Sequence, residues 1–274
     1  MTAPPALQVE RLARSYAGRR VLNLPSLTVA PGEMVALIGS SGSGKSTLIR
    51  LLCGLVTADR GGTGTGVVRA RGALVQAGGR LDRRAGQVRA RIGVVFQQFN
   101  LVDRLPVITN VLIGALARIP LWRSLPRLFT EAERRQAMAA LERVGIAPQA
   151  WQRASTLSGG QQQRAAIARA LMQRAGIILA DEPIASLDPE SATRVMEILA
   201  ELNRRDGITV VVSLHQVEVA FRYCRRIVAL RQGEVVHDGP PEALDPGRLA
   251  WIYGTTAAPP PSRAPARAPA PAEA

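Results

Sequence analysis

The stretch "MVALIGSSGSGKSTLIRLLCGL", residues 34–55, joins three kinds of sequence in a fixed order. "MVALIG" is an unbroken apolar run of the sort that forms a strand buried on both faces. "STLIRLLCGL" then continues as a helix. Between them, Gly39-Ser40-Ser41-Gly42-Ser43-Gly44-Lys45-Ser46 fits G-x-x-x-x-G-K-[ST], a pattern that accident supplies in on the order of one chain in a hundred of this length. Strand, glycine loop and helix together turn successive backbone N–H groups toward phosphate oxygens at a helix N-terminus. Lys45 is the only lysine in the chain of 274 residues, and every other fixed positive charge is arginine. A compact ammonium on a slim stem reaches the β- and γ-phosphates of a nucleotide, where a broad guanidinium fork fits poorly. The loop, Gly39 through Thr47, is therefore expected to bind a nucleoside triphosphate.

Working outward, the strand pattern repeats. "GIILA" (176–180), "ITVVVSL" (208–214) and "RIVAL" (226–230) read as further buried strands, with "ALQVERL", "GVVRA" and "RIGVVFQ" as shorter extended candidates. Helical patterns alternate with them. In "PESATRVMEILAELNRR" (189–205), Val195, Met196, Leu199 and Leu202 share one stripe, Asp188 suits the cap and Pro189 the first turn. The alternation predicts an α/β fold of the P-loop NTPase kind, with a mixed, largely parallel sheet core. A long block between the strands near Gln97 and Gly176, including "RLPVITNVLIGALARI", "LFTEAERRQAMAALERVG" and "SGGQQQRAAIARALMQR", reads as an inserted helical subdomain. The expected organisation is one domain over 1–254, with a core of 1–97 and 174–254 and a helical part at 98–173. The proline- and alanine-rich residues 255–274 are expected to be a disordered tail. "GGTGTG" (61–66) follows a helix and reads as a flexible connector rather than a dinucleotide site.

Composition narrows the function classes. The net charge of +14 invites a nucleic-acid reading, but only 4% of residues are aromatic and the densest basic patch, "RLDRRAGQVRAR" (80–91), has no ring on which a base could stack. A solvated arginine face is expected there, and no nucleic-acid partner. No apolar run approaches the roughly 18 residues of a membrane span. The opening residues lack the apolar core of a secretory signal, so a cytoplasmic location is expected. Cys53 and Cys224 lack metal-ligand spacing and read as buried or half-buried residues.

The strand ends carry the chemistry. "GIILADEP" puts Asp181 and Glu182 beyond a buried strand. Beside a triphosphate loop, Asp181 is expected to hold Mg²⁺ with the Ser46 hydroxyl, and Glu182 to orient or deprotonate the attacking water. His215 ends "VVVSLHQ" and Gln97 ends "RIGVVFQ". Both then stand on the rim where open α/β sheets collect ligands, His215 as a γ-phosphate contact and Gln97 as a contact to Mg²⁺ or the water. "TLSGGQQQRAAIARAL" opens a second anion-ready helix, with Ser158 as cap and Gly159 and Gly160 freeing the backbone.

These motifs in this order resemble the ATP-binding cassette ATPases, the energy-coupling subunits of ABC transporters. The resemblance implies further roles: Tyr16 stacking on adenine, Gln97 in the Q-loop, "LSGGQ" at 157–161 with Ser158, Gly159, Gly160 and Gln161 on the nucleotide, and Asp188 in the D-loop. It implies a head-to-tail homodimer in which the P-loop of one subunit and the "LSGGQ" of the other enclose each nucleotide. Residues 92–239, including "FQQFNLVDRLPVITNVLIGALARIPLWRSL" and "DGITVVVSLHQVEVAFRYCRRIVALRQGEVVHDG", are similar to the phosphonate-importer members of that family. This implies two integral-membrane permease subunits, an extracytoplasmic phosphonate-binding protein and a peripheral place on the cytoplasmic face of the inner membrane. An ATPase accessory to a carbon–phosphorus lyase complex, or an importer ATPase for another small anion or amino acid, stays open. A DNA-repair ATPase of the same superfamily does not, because the interval from Gly39 to Leu157 has no room for its coiled coil or zinc module. The family also places a permease groove beside the Q-loop, which marks Phe99, Leu101 and Val102 as contacts.

Overall fold

A computed structural model describes residues 3–61, 65–120, 122 and 129–254. The tail at 255–274, the centre of the 61–66 connector and most of 121–128 lie outside the described residues. The central sheet has six strands in the order β11-β10-β3-β9-β8-β7. These are β3 (Met34–Ile38), β7 (Ile92–Phe96), β8 (Ile177–Asp181), β9 (Thr209–Ser213), β10 (Arg226–Arg231) and β11 (Glu234–Gly239). The five strands from β10 to β7 run parallel, and β11 closes the edge antiparallel to β10. Every residue of β3, β8 and β9 is buried, as strands covered on both faces require.

Residues of β3 alternate between two cores, following the two-residue period of a strand. Met34, Ala36 and Ile38 join the larger core, under the helices. Val35 and Leu37 join the second, with Leu48, Ile49 and Leu52 of α1 (Lys45–Leu52). That second core is roofed by a five-stranded antiparallel sheet, β2-β1-β4-β5-β6. Its strands are β1 (Leu7–Tyr16), β2 (Arg19–Val29), β4 (Val67–Ala70), β5 (Ala73–Ala77) and β6 (Arg80–Leu81). The sequence patterns reveal β1 and β4 of this sheet. They do not reveal β2, whose buried residues are interrupted by exposed ones, β5, which buries the polar Gln76, or β6, which is two exposed residues.

The helices are α2 (Ala85–Arg89), α3 (Val107–Leu112), α4 (Glu131–Arg143), α5 (Gly159–Met172), α6 (Pro189–Asp206), α7 (Val217–Tyr223) and α8 (Pro246–Ile252). Ser158, with Gln161, caps α5 and Asp188 caps α6, as the sequence predicts; Thr130 with Glu133 caps α4 and Asp245 caps α8 as well. Val195, Met196 and Leu199 of α6 are fully buried, as their stripe predicts. "RLPVITNVLIGALARI" departs from expectation, because its α-helix stops at Leu112 and tightens into a 3₁₀ stretch over Ile113–Arg118. Gly114 lies there so close to α5 that a Cβ would stand 2.3 Å from the Arg169 carbonyl oxygen. Cys53 and Cys224 are both buried.

Candidate active site

Four strand ends are brought level by the sheet register. Phe96 pairs with Asp181, Asp181 with Ser213, and Ser213 with Leu37. Gln97, Glu182, His215 and the loop at Gly39 therefore emerge along one rim. The loop turns sharply because glycine alone fits at its start. Gly39 has φ +142°, and a Cβ there would lie 2.1 Å from the Leu230 carbonyl oxygen of β10. At the other end, Gly44 occupies the N-cap of α1 with φ +106°.

Lys45 is the first residue of α1 and is 4% exposed. Its Nζ donates to the carbonyl oxygens of Gly39 at 2.7 Å and Ser40 at 3.1 Å, so the loop curls around its own lysine. Burial lowers the Lys45 pKa from the ordinary value, against the opposing pull of the Glu182 and Asp181 carboxylates. Inside the same loop the Ser43 hydroxyl is buried with no hydrogen-bond partner among the described residues. An orphaned donor beside an ammonium and a helix N-terminus suits a bound oxyanion. Thr47 follows on α1.

The acidic pair is held by hydroxyls. Ser46 Oγ donates to Asp181 Oδ1 at 2.9 Å, and Ser213 Oγ donates to the same oxygen at 3.0 Å. The Glu182 amide donates to Ser213 Oγ at 2.8 Å. Asp181 is the last residue of β8 rather than the first beyond it, and it is buried. Glu182 turns out of the strand with φ +50°, a backbone region costly for a residue with a Cβ and found most at functional positions. Its Oε1 lies 2.6 Å from His215 Nε2. A cleft of about 370 Å³ opens between Ser41 of the loop, Glu182, Ser213 and His215. Among the described residues no group of three or more His, Cys, Asp and Glu is disposed to hold a metal ion. The adjoining Ser46 and Asp181 oxygens suit a hard cation that takes its remaining ligands from phosphate and water, as Mg²⁺ does.

The other anticipated residues lie outside this hydrogen-bonded group. Ser158 caps α5, accepting from the Gln161 amide at 3.3 Å, while Gln161 Oε1 accepts from the Ser158 amide at 2.9 Å. Gly160 packs on the start of α6, where a Cβ would lie 2.5 Å from Ser191 Oγ. Asp188 accepts from the Ser191 amide at 2.9 Å, which lowers its pKa. The structure thus joins 158–161 to 188–191 in a second cluster. Gln97 is exposed on the rim one residue past β7. Tyr16 ends β1, exposed, with the Arg14 guanidinium 4.7 Å over its ring. Val102 is exposed, whereas Phe99 and Leu101 are half-buried, Leu101 against the larger core.

Two residues of the site escape sequence reasoning. Ser213 looks like a polar interruption in an apolar strand, and only its register beside Asp181 reveals its work. Tyr253, 38 residues downstream in sequence, donates its hydroxyl to the His215 carbonyl oxygen at 3.2 Å. No local pattern connects the two.

Known proteins resemble this chain in sequence and fold. A family profile described as ABC transporter matches residues 22–185. The phosphonates import ATP-binding protein of Cupriavidus necator is 59% identical over 253 residues, covering 92% of this chain and 88% of that protein. Its counterpart from Stutzerimonas stutzeri is 59% identical over 249 residues, covering 91% of this chain and 90% of that protein. Among solved structures, the dimeric bacterial ABC transporter cassette MJ0796 superposes with a TM-score of 0.74 at 33% identity, covering 86% of this chain and 98% of that one. The same cassette in a post-hydrolysis dimer bound to ADP and Pi gives 0.73 at 33% identity, with the same coverage.

Proposed function

Because the chain belongs to the ABC transporter family of ATP-binding cassettes, we propose that it is the ATP-hydrolysing, energy-coupling subunit of a phosphonate importer. The observation that carries the reading is the run of hydrogen bonds from Ser46 through Asp181 and Ser213 to Glu182, and on to His215, at the mouth of the glycine loop. The phosphonate assignment rests on the two import proteins that are 59% identical to it over 253 and 249 aligned residues.

In this reading the loop amides of 39–47 and the α1 N-terminus cradle the phosphates of ATP. The Lys45 ammonium exchanges its bonds to the Gly39 and Ser40 carbonyls for bonds to the β- and γ-phosphates. Ser46 and Asp181, with Gln97 on the rim, would hold Mg²⁺, which when bound would offset the negative charge of the phosphates. The Glu182 carboxylate accepts the proton of the attacking water, and His215 holds that carboxylate and contacts the γ-phosphate. Ser158, Gly159, Gly160, Gln161 and Asp188 close on the nucleotide of a second copy, and Tyr16 lies against the base. By likeness to the import ATP-binding relatives, the cassette works peripherally on the cytoplasmic face with two permease subunits that supply the membrane path, and an extracytoplasmic binding protein delivers the phosphonate. Among the described residues no helix is long and apolar enough to cross a membrane.

Glu182→Gln should bind ATP at wild-type affinity and dimerise, yet lose at least a hundredfold in turnover. In vesicles holding the permease, wild-type ATPase should rise with phosphonate-loaded binding protein. If phosphate or an amino acid stimulates and phosphonate does not, the substrate assignment fails while the ATPase assignment stands. Full turnover by Glu182→Gln removes the base.

A further inference from the structure

The mechanism above leaves unused the short C-terminal helix α8, although it is docked on the same rim. Asp245 caps it, accepting from the Arg248 amide at 2.7 Å. Ile252 is fully buried, and the Trp251 ring lies 4.4 Å from the Arg231 guanidinium. Arg231 ends β10, and the neighbouring Leu230 carbonyl is the atom that forces glycine at position 39. The helix is thus fastened to the strand that walls the phosphate loop.

Tyr253 follows immediately, and its hydroxyl reaches the His215 carbonyl oxygen at 3.2 Å. Burial raises the Tyr253 pKa from the ordinary value, with the backbone of Gly39 acting in the opposite sense and Glu218 adding to the rise. The hydroxyl therefore stays protonated and serves as a donor throughout the neutral range. One phenol stands between the loop that starts at Gly39 and the main chain of the histidine. The main chain around His215 needs such a tie. Upstream, the Leu214 amide donates to the Leu37 carbonyl at 2.9 Å, which anchors the strand end. Downstream, the chain turns into α7, whose N-cap residue Gln216 makes no side-chain cap. Between these points the His215 imidazole projects, partly exposed, to within 2.6 Å of Glu182.

We propose that Tyr253 is a positioning residue for ATP hydrolysis: its hydroxyl holds the His215 main chain so that the imidazole stays on the Glu182 carboxylate. The inference rests on the assignment of His215 and Glu182 given above. A hydrogen bond of this kind shifts an equilibrium by a modest factor, so its removal misplaces the histidine part of the time without emptying the site.

The test uses the full chain with Mg²⁺ and ATP. Tyr253→Phe keeps the ring and its packing and removes only the donor. It should lower kcat by roughly three- to tenfold, with KM for ATP within twofold of wild type and Tm within about 2 °C. On a His215→Ala background the same change should alter the residual rate by less than twofold, because the group it positions is gone. Wild-type kcat in Tyr253→Phe overturns the proposal. So does an equal fractional loss in both backgrounds, or a loss of kcat that comes with a raised KM and a falling Tm, either of which marks a merely structural contact. If His215→Ala itself turns over at the wild-type rate, the reading of the histidine fails and takes the proposal with it. An inactive His215→Ala beside an unaffected Tyr253→Phe removes the proposal alone.

Discussion

Ser213 serves both acids through one oxygen, donating to the Asp181 carboxylate and accepting from the Glu182 amide. Fully buried between two strands, it has no water to replace either bond. Ser213→Ala leaves the Glu182 amide unsatisfied and should cost about 1–3 kcal/mol of stability, readable in urea melts. The freed Glu182 should also lower kcat about tenfold while ATP binding holds. Unchanged kcat would show that the strained turn at Glu182 keeps its shape without that oxygen. The contrast with Lys45 shows what a sequence discloses about a site. The lysine is legible because its chemistry depends on neighbours in the chain, at a spacing that glycine and serine make distinctive. Asp181, Glu182 and His215 are legible as polar residues ending apolar runs. Ser213 and Tyr253 act through partners 31 to 38 residues away in sequence, and no local pattern encodes a strand register or a helix docked from elsewhere.

The parallel strands show their burial as apolar runs, so the five parallel strands of the central sheet are legible along with α5 and α6, whose caps are written out, while the half-exposed antiparallel edge β11 is not. The antiparallel roof is not. β2 carries Pro25 and alternates buried with exposed residues, and β6 is two residues long. Their hydrophobicity is shared with neighbours that only folding supplies. The glycines of 159–160 carry a second lesson. Read alone they free the backbone to approach a ligand, but Gly160 is also demanded by Ser191 at the start of α6. Gly160→Ala should cost about 1–3 kcal/mol through that clash. Because the displaced segment is 158–161, ATP-dependent dimerisation should weaken by more than the stability loss alone explains. Calorimetry paired with light scattering separates the two effects, and dimerisation at wild-type strength would place segment 158–161 outside the contact between copies.

Within one chain the lysine, acids and histidine form one cluster, and Ser158, Gln161, Asp188 and Ser191 form another. If each catalytic centre draws one cluster from each of two copies, lesions in different clusters should complement. Lys45→Ala and Ser158→Arg should each be inactive alone. Mixed in equal amounts they form heterodimers in which one centre has both intact parts, so activity should return to about a quarter of wild type or less. A mixture as silent as its components would mean that the two clusters are not combined between subunits. The folded-back amine of Lys45 has a practical corollary as well. An acylating dye or a coupling resin aimed at lysine finds a single side-chain target, and a lysine-specific protease finds one bond, both inside the phosphate loop. Labelling or nicking at that point is a direct gauge of whether the loop is open, with no other lysine to confuse the signal.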